Sequence, residues 1–362
     1  MKYEVDKNSK TPIYVQLYEL IKADIINGVY EYNFKLPSKR FMAEELEISV
    51  ITVEHAYSLL CEEGYADSKE RSAYFVTYNP NEAFSSPKSI SKRLLPKEHN
   101  IELDDTFPFS VYAKTMRRIL SSYGDDIFDK CPSSGSDELK GALKSYLLRS
   151  KGINVRTEQI VIGAGAEYLY GIIVQMLGKE CIYAAENPSY EKIEQVYRAN
   201  GVEIELLSLG MYGIESDELW KTGASVLHIT PFRSYPSGVT ASASKKREYI
   251  RWQRSGEGKT IVEDDFESEF SLGSNPQETV FSLSKGKGVI YVNTFSKTIS
   301  PAIRIAYMIL PEDMLSAYRK RVGFYSCTVP LYNQLVLAEF INNGDFERSV
   351  NRARRKLRKH LT

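Results

Sequence analysis

The chain has 362 residues, of which 43% are hydrophobic, and its 47 Lys and Arg are balanced by 47 Asp and Glu. This length exceeds one typical core and predicts two domains of unequal size. No signal-peptide pattern opens the sequence and no apolar run is long enough to span a membrane, so we expect a cytoplasmic protein. The four cysteines and four histidines show no metal-ligand spacing, which predicts reduced thiols and no metal site.

Residues 1–78 have the pattern of a small helical domain that ends in a β-wing. Ser38 and Ser49 are good N-caps for two short helices, and the tight connection between these helices is typical of a winged helix-turn-helix. The predicted elements are, in chain order, a helix over 12–27, helices over 39–46 and 49–63, and two strands between 65 and 76.

Polar and basic residues of this domain predict a site for a double-stranded DNA operator. We expect Arg40 to clamp a phosphate, and we place the other contacts at the helix starts and on the wing: Ser38, Lys39, Ser49, Thr52, His55 and Arg71. The domain has nine Lys and Arg against thirteen Asp and Glu, so a dimerisation or docking module is the alternative. The acidic balance predicts modest affinity per domain and dependence on a dimer that spans two half-sites.

Residues 79–100 contain three prolines and no sustained periodicity, which predicts a linker. From 101 to 362 apolar strands alternate with helical stretches, which favours an α/β domain with a mostly parallel, doubly wound sheet. The predicted strands are 159–163, 181–185, 203–208, 225–230, 259–263, 289–294 and 305–310. The predicted helices include 168–177, 189–199 and 243–255, with one or two amphipathic helices over 332–361.

Lys297 is the most informative residue of this second domain. It follows an apolar strand, and open α/β sheets bind ligands at the carboxyl ends of their strands. A lysine amine there can form a Schiff base with pyridoxal 5'-phosphate (PLP). Thr294, Ser296 and Arg304 lie close by in the sequence and can hold its phosphate.

Four other stretches also fall at predicted strand ends. Asp264 can pair with a protonated pyridine nitrogen, and the loop Gly165, Ala166, Glu167 can cradle a phosphate at a helix N-terminus. Tyr190 can stack on a ring, and Tyr235 lies in a turn-rich loop near the expected crevice. Each stretch alone has an ordinary structural explanation as a cap, a turn or packing. Their coincidence at one sheet edge predicts a single PLP site.

These residues, in this order, resemble the MocR subgroup of GntR-type regulators. Members join a winged helix-turn-helix to a domain similar to the large domain of fold-type I aminotransferases, and the resemblance covers nearly the whole chain. Residues 36–40 resemble the opening of the GntR helix-turn-helix, and 49–64 its recognition helix. The resemblance implies PLP as cofactor, an aldimine at Lys297, a homodimer, and site residues at Asp264, Arg304, Thr294, Ser296, Tyr190, Gly165, Ala166 and Glu167.

The chain departs from this family at several positions. Phe266 stands where a tyrosine is expected, which removes a hydrogen bond to the cofactor's phenolate. Val50 replaces an arginine in the recognition helix, and Ala73 replaces a wing glycine. The sequence ends at Thr362, where the family continues into a C-terminal subdomain with a substrate-binding arginine. We therefore expect that subdomain to be missing.

The sequence predicts a PLP-dependent transcription regulator rather than an enzyme. An amino compound would exchange with the Lys297 aldimine and so alter operator binding. Two alternatives remain open at this stage. One is a PLP-dependent aminotransferase with an appended helix-turn-helix, and the other is a regulator with a vestigial cofactor site. The effector, the operator and the sign of regulation are not indicated by the sequence.

Overall fold

A computed structural model of the chain describes residues 3–7, 9, 11–69, 73–79, 107–271 and 278–361. The chain divides into two compact units, Met1–His99 and Asn100–Thr362. The predicted linker lies outside the described residues apart from residue 79, and so does the predicted wing residue Arg71. No helix within the described ranges is long and apolar enough to cross a membrane.

The first unit contains three helices and a two-stranded antiparallel wing, as the sequence predicts. Its elements are α1 Ile13–Ile26, α2 Lys39–Glu45, α3 Val50–Glu62, β1 Ala66–Lys69 and β2 Ala73–Val76. Both predicted N-caps are confirmed. The Ser38 Oγ accepts from the Phe41 amide at 3.2 Å, and the Ser49 Oγ accepts from the Thr52 amide at 3.1 Å. Helices α1 and α3 pack their apolar faces together, and the buried residues include Leu17, Ile21, Val53 and Leu60.

The second unit is built on an eight-stranded sheet. Its strands are β3 Ile160–Gly163, β4 Tyr183–Asn187, β5 Ile204–Gly210, β6 Gly213–Ile214, β7 Val226–Ile229, β8 Thr260–Asp264, β9 Val289–Thr294 and β10 Ala306–Ile309. The order across the sheet is β3-β10-β9-β8-β7-β4-β5-β6. The five strands from β9 to β5 are parallel neighbours, whereas β10 and β6 run antiparallel to the strands beside them.

All seven predicted strands are present, and the sheet is mostly parallel as expected. Strand β6 was not predicted, because two residues after a turn are too short to show any alternation. Strands β7 and β9, in the parallel part, are buried on both faces, so they read as largely apolar runs.

Helices cover both faces of this sheet. They are α4 Phe109–Tyr123, α5 Asp137–Lys151, α6 Ala166–Leu177, α7 Glu191–Ala199, α8 Ser216–Lys221, α9 Ala243–Arg254, α10 Val280–Leu283, α11 Leu315–Arg321, α12 Leu331–Asn342 and α13 Asp345–Leu361. One apolar core joins the sheet to α5, α9, α10, α12 and α13, and a second joins it to α6, α7 and α11. The predicted doubly wound arrangement is therefore confirmed.

Helix α12 corrects one expectation. The sequence predicts amphipathic helices over 332–361, but α12 buries residues around most of its circumference, including Gln334, Leu337 and Phe340. It packs between α4, α5 and α13, so it has no broad solvent face.

Glu186, on β4, anchors the loop that follows β7. One of its carboxylate oxygens accepts from the Thr230 amide at 3.1 Å, and the other accepts from the Ser234 hydroxyl at 2.6 Å. The side chain is buried, and burial raises the pKa of its carboxyl to about 7, although these two donors oppose the shift. Below about pH 7 the neutral acid is therefore favoured in the folded protein.

We predict that Glu186 makes the second unit less stable as pH rises from about 4.5 to about 7. The folded state binds the proton more tightly than the unfolded chain, so stability is fully present below the unfolded pKa and falls until the folded pKa is passed, by about 3 kcal/mol at most. Glu186→Gln mimics the neutral acid and should flatten this part of the pH profile. Denaturant unfolding followed by tryptophan fluorescence measures it, because Trp220 and Trp252 both lie in the second unit. An unchanged slope in the variant would contradict the assignment to Glu186.

Candidate functional site

A cavity of about 450 Å³ opens at the carboxyl ends of the parallel strands in the second unit. Such a volume is typical of small-molecule sites. Nearly all residues predicted to bind a cofactor line it: Ala166, Glu167, Tyr190, Tyr235, Asp264, Thr294, Ser296, Lys297 and Arg304. Gly165 adjoins it through Arg304. The fold therefore brings together residues that are up to 139 positions apart in the sequence.

Asp264 forms the buried acidic end of the cavity. Its Oδ2 accepts a hydrogen bond from the Tyr170 hydroxyl and lies 3.9 Å from the Nε2 of His228. Its Oδ1 is buried and has no hydrogen-bond partner among the described residues. A buried carboxylate oxygen without a donor is costly, so this atom is suited to a cationic N–H donor from a ligand.

The neighbouring Asp265 faces the opposite side of the sheet. Its carboxylate bonds the Lys151 ammonium at 2.7 Å and the Tyr291 hydroxyl at 2.7 Å. Burial raises the pKa of Asp265, but the charge of Lys151 and these hydrogen bonds outweigh it and hold the pKa below its ordinary value. Of the two consecutive acids, only Asp264 reaches the cavity, as strand alternation requires.

The opposite end of the cavity suits an anion. Gly165 is the N-cap of α6 and has a left-handed φ of 100°, and a Cβ at this position would lie 2.6 Å from the Arg304 guanidinium. Only glycine therefore lets Arg304 approach the start of α6, where free amides and the helix dipole attract phosphate. Arg304 Nη2 also lies 2.9 Å from the Glu167 carboxylate, which contacts Lys192 Nζ at 2.8 Å.

Lys297 lies in the turn just after β9, and its side chain is exposed to the cavity. The strand end beside it is held by hydroxyl contacts, since Thr294 Oγ1 and Ser296 Oγ are 2.9 Å apart and Thr294 Oγ1 accepts from the Ser296 amide at 3.2 Å. These contacts fix the direction in which the chain leaves the sheet. A primary amine and two hydroxyls are thus presented at one edge of the cavity.

Aromatic side chains form the walls. The rings of Tyr190 and Tyr235 meet edge to face with centroids 6.2 Å apart, and both remain well exposed. Phe266 also lines the cavity, so the position where the family resemblance implies a tyrosine hydroxyl carries an apolar ring.

Sequence reasoning missed several residues that shape the site. Tyr170 donates to Asp264 and His228 lies 3.9 Å from the same oxygen, Lys192 pairs with Glu167, and Glu186 anchors the loop with Tyr235. Tyr170 is one of 25 tyrosines, and nothing in its local sequence distinguishes it from a core residue. These contacts are tertiary, so one sequence alone gave no signal for them.

In the first unit, the predicted DNA contacts lie at the starts of α2 and α3. The two starts are adjacent, because the Lys39 ammonium bonds the Glu54 carboxylate of α3 at 2.6 Å. This ion pair partly neutralises Lys39, whereas Arg40 is exposed beside it. The Ser38 hydroxyl accepts a hydrogen bond from the first turn of α2 and is also exposed to solvent.

The start of α3 presents a mixed polar and apolar face. The Ser49 and Thr52 hydroxyls are 2.8 Å apart, and the exposed His55 ring packs edge to face on Tyr14. Val50 and Ile51 are 41% and 64% exposed. Exposed apolar side chains at the start of a recognition helix are suited to thymine methyl groups.

Family profiles match both units. The profile for bacterial regulatory proteins of the gntR family matches residues 13–76, and the profile for aminotransferase class I and II matches residues 102–362. The second match covers more than half of the chain.

Two full-length relatives and one solved structure extend these matches. The uncharacterized HTH-type transcriptional regulator YdeL of Bacillus subtilis is 32% identical over 96% of this chain and 77% of its own length. The probable rhizopine catabolism regulatory protein MocR of Rhizobium meliloti is 27% identical over 97% of this chain and 76% of its own. The α-aminoadipate aminotransferase LysN of Thermus thermophilus, solved with N-(5'-phosphopyridoxyl)-L-leucine, superposes with a TM-score of 0.62 at 25% identity, covering 70% of this chain and 65% of LysN. The chain thus spans slightly less than two thirds of that enzyme.

The two-unit architecture, the GntR match and the aminotransferase match over the sheet that carries Lys297 agree along the whole chain. The chain therefore belongs to the MocR subgroup of GntR-type regulators, which join a helix-turn-helix to an aminotransferase-like domain.

Proposed function

We propose that this protein is a PLP-dependent, DNA-binding transcription regulator that senses an amino compound. The observation that carries the proposal is the pairing, in one cavity, of Lys297 with a buried Asp264 whose Oδ1 faces no donor among the described residues. The LysN structure, which holds a phosphopyridoxyl amino acid, supports the same ligand class. We infer that the protein works in the cytoplasm as a homodimer.

Bound PLP would supply an aldehyde that condenses with amines and a pyridine ring that accepts electron density. We propose that Lys297 holds the cofactor covalently, that Asp264 accepts a hydrogen bond from the ring nitrogen, and that Tyr190 lies against the ring. Tyr170 keeps the Asp264 carboxylate oriented by donating to its other oxygen. The α6 amides and Arg304 would bind the phosphate, with the Thr294 and Ser296 hydroxyls as further donors.

An amino compound that displaces the Lys297 amine would be the signal. Displacement would leave the Lys297 amine free to take up a proton in the cavity, and the effector would lie next to Tyr190, Tyr235 and Phe266. Operator affinity changes only to the extent that the effector binds two arrangements of the protein unequally. Phe266 offers no hydroxyl to the cofactor, which favours sensing over rapid turnover.

We predict that PLP forms a covalent adduct at Lys297 and at no other lysine of the chain. Borohydride reduction of the protein with PLP, followed by peptide mass mapping, should place the added mass on Lys297. Lys297→Ala should lose the adduct and its visible absorption band, because Lys192, the other lysine among the described residues that line the cavity, is paired with Glu167.

Lys287→Ala is the matched control, since Lys287 is an exposed lysine in the turn before β9. It should retain full labelling. Equal labelling of Lys297→Ala and the unchanged protein would refute the proposed cofactor site.

We predict that Arg40 contributes a phosphate contact. An operator is first selected from random duplexes with the full chain. Arg40→Ala should then weaken binding to all duplexes alike and reduce the slope of log affinity against log salt by about 0.9, the value for one released counterion. Lys22→Ala serves as control, because the Lys22 ammonium pairs with Glu63 at the far end of α3. An unchanged slope in Arg40→Ala would exclude this contact.

We predict that Ile51 contacts a thymine methyl group in the operator. Replacing the contacted thymine by uracil should weaken binding of the unchanged protein about fourfold, because burying one methyl group is worth about 0.8 kcal/mol. Binding of Ile51→Ala should be insensitive to the same replacement. Equal losses in both proteins at every thymine would show that Ile51 makes no such contact.

A further inference from the structure

Two thiols from distant parts of the second unit meet behind the loop that follows β3. Cys131 precedes α5, and Cys327 precedes α12. The buried Gln334 side chain joins them, because its Nε2 lies 3.2 Å from the Cys131 Sγ and 3.3 Å from the Cys327 Sγ. Both sulfurs therefore lie against the same amide nitrogen, close enough to affect each other's ionisation. Both cysteine residues are partly exposed.

The two sulfurs are chemically unequal. The neighbouring Cys131 thiol lowers the pKa of Cys327, burial opposes the shift, and donors at Val329 and Gln334 lower it further, to about 6. The neighbouring Cys327 sulfur, together with burial, raises the pKa of Cys131. Cys327 is therefore the sulfur of the pair that ionises more readily. A low-pKa thiolate beside a second thiol is typical of redox-sensing cysteines.

We propose that Cys131 and Cys327 form a redox site that reacts with hydroperoxides and closes to a disulfide. The Cys327 thiolate attacks the peroxide, so that an S–O bond forms, the O–O bond breaks, and the departing oxide takes a proton to leave as water or an alcohol. Cys131 then loses its proton to solvent and attacks the oxidised sulfur. An S–S bond forms, the S–O bond breaks, and hydroxide leaves as water. The two thiols lose two electrons in total, and the peroxide gains them.

The pair is connected to the proposed phosphate-binding loop. Thr328, next to Cys327, accepts a hydrogen bond at its Oγ1 from the Ala164 amide at 3.1 Å. The Cys327 Sγ also lies 3.9 Å from the Ile162 carbonyl oxygen of β3. Closing the disulfide draws Cys327 towards Cys131 and shifts these contacts just before Gly165. Oxidation should therefore weaken PLP binding, a consequence that rests on the proposed function.

The other two cysteines serve as controls. Cys61 lies in α3 of the first unit, and the Cys181 Sγ donates to the Leu177 carbonyl at 3.8 Å. Burial and nearby carboxylates raise the pKa of Cys61, the reverse of the shift at Cys327. Neither Cys61→Ser nor Cys181→Ser should affect the reaction of the pair.

The test treats the reduced, full chain with hydrogen peroxide in the absence of PLP. We expect a species about 2 Da lighter, the loss of two hydrogens, and a Cys131–Cys327 peptide on non-reducing mapping. Cys327→Ser should abolish the reaction. Cys131→Ser should instead stop at a sulfenic acid on Cys327 that dimedone traps. Oxidation of Cys327 no faster than that of Cys61 or Cys181, or a disulfide between other cysteines, would overturn the proposal.

A second measurement compares PLP binding by the reduced and the oxidised protein. Weaker binding after oxidation that thiol reductant reverses supports the connection to the phosphate loop, and equal affinity overturns that connection. Reduced protein that fails to bind PLP would refute the proposed function instead. The peroxide reaction tests the redox site independently of the proposed function, because it is measured without PLP.

Discussion

The burial of the Asp264 carboxylate constrains the rest of the site. Taking an ionised carboxylate out of water costs several kcal/mol unless its oxygens receive hydrogen bonds. Tyr170 serves one oxygen from α6, and His228 stands 3.9 Å from the same oxygen. The other oxygen has no hydrogen-bond partner among the described residues, and Asp264 lines the same cavity as Lys297. A ligand that brings an N–H donor to this oxygen would supply that partner, and the protonated ring nitrogen of the proposed cofactor is such a donor.

The two acids that flank Asp264 in the sequence, Glu263 and Asp265, fix its position. Glu263 accepts the Val280 and Phe281 amides at 2.7 Å each and so holds the start of α10. Asp265 pairs with Lys151 at the end of α5. Both acids point to one face of the sheet, and Asp264 points to the other. A shift of the strand by one residue would place two acids in the cavity and leave Lys151 with Glu269 as its remaining carboxylate partner, so the register is strongly specified. Contacts on the face of the sheet opposite the cavity hold β8 in place, and they thereby fix the Asp264 carboxylate on the cavity face.

The sequence predicts well which residues lie at the sheet edge that forms the site, because strand ends are marked by local sequence patterns. Apolar runs end where strands leave the core, so Asp264 and Lys297 could be placed at one sheet edge from their positions alone. The Ser38 and Ser49 caps were equally local. Contacts between distant segments left no such trace. The Lys39–Glu54 ion pair, the Tyr170–Asp264 hydrogen bond and the meeting of Cys131 with Cys327 all depend on packing that periodicity does not encode. For the same reason, the sequence did not predict the two-residue strand β6 or the burial of α12 around most of its circumference.

Glu167 raises the question of how a phosphate gains access to Arg304. Its carboxylate bonds the same guanidinium at 2.9 Å and would repel a phosphate. The Arg304 side chain is 51% exposed, however, and exposed ion pairs are worth only about 0–1 kcal/mol. The phosphate of the proposed cofactor would carry more charge, bind the guanidinium in bidentate fashion and also receive the α6 amides, so it would outcompete the carboxylate. Glu167 would then keep Lys192 as its partner on α7, the helix whose N-cap is Tyr190. Phosphate binding at Arg304 would thereby change the ion pairing next to Tyr190 in the cavity wall.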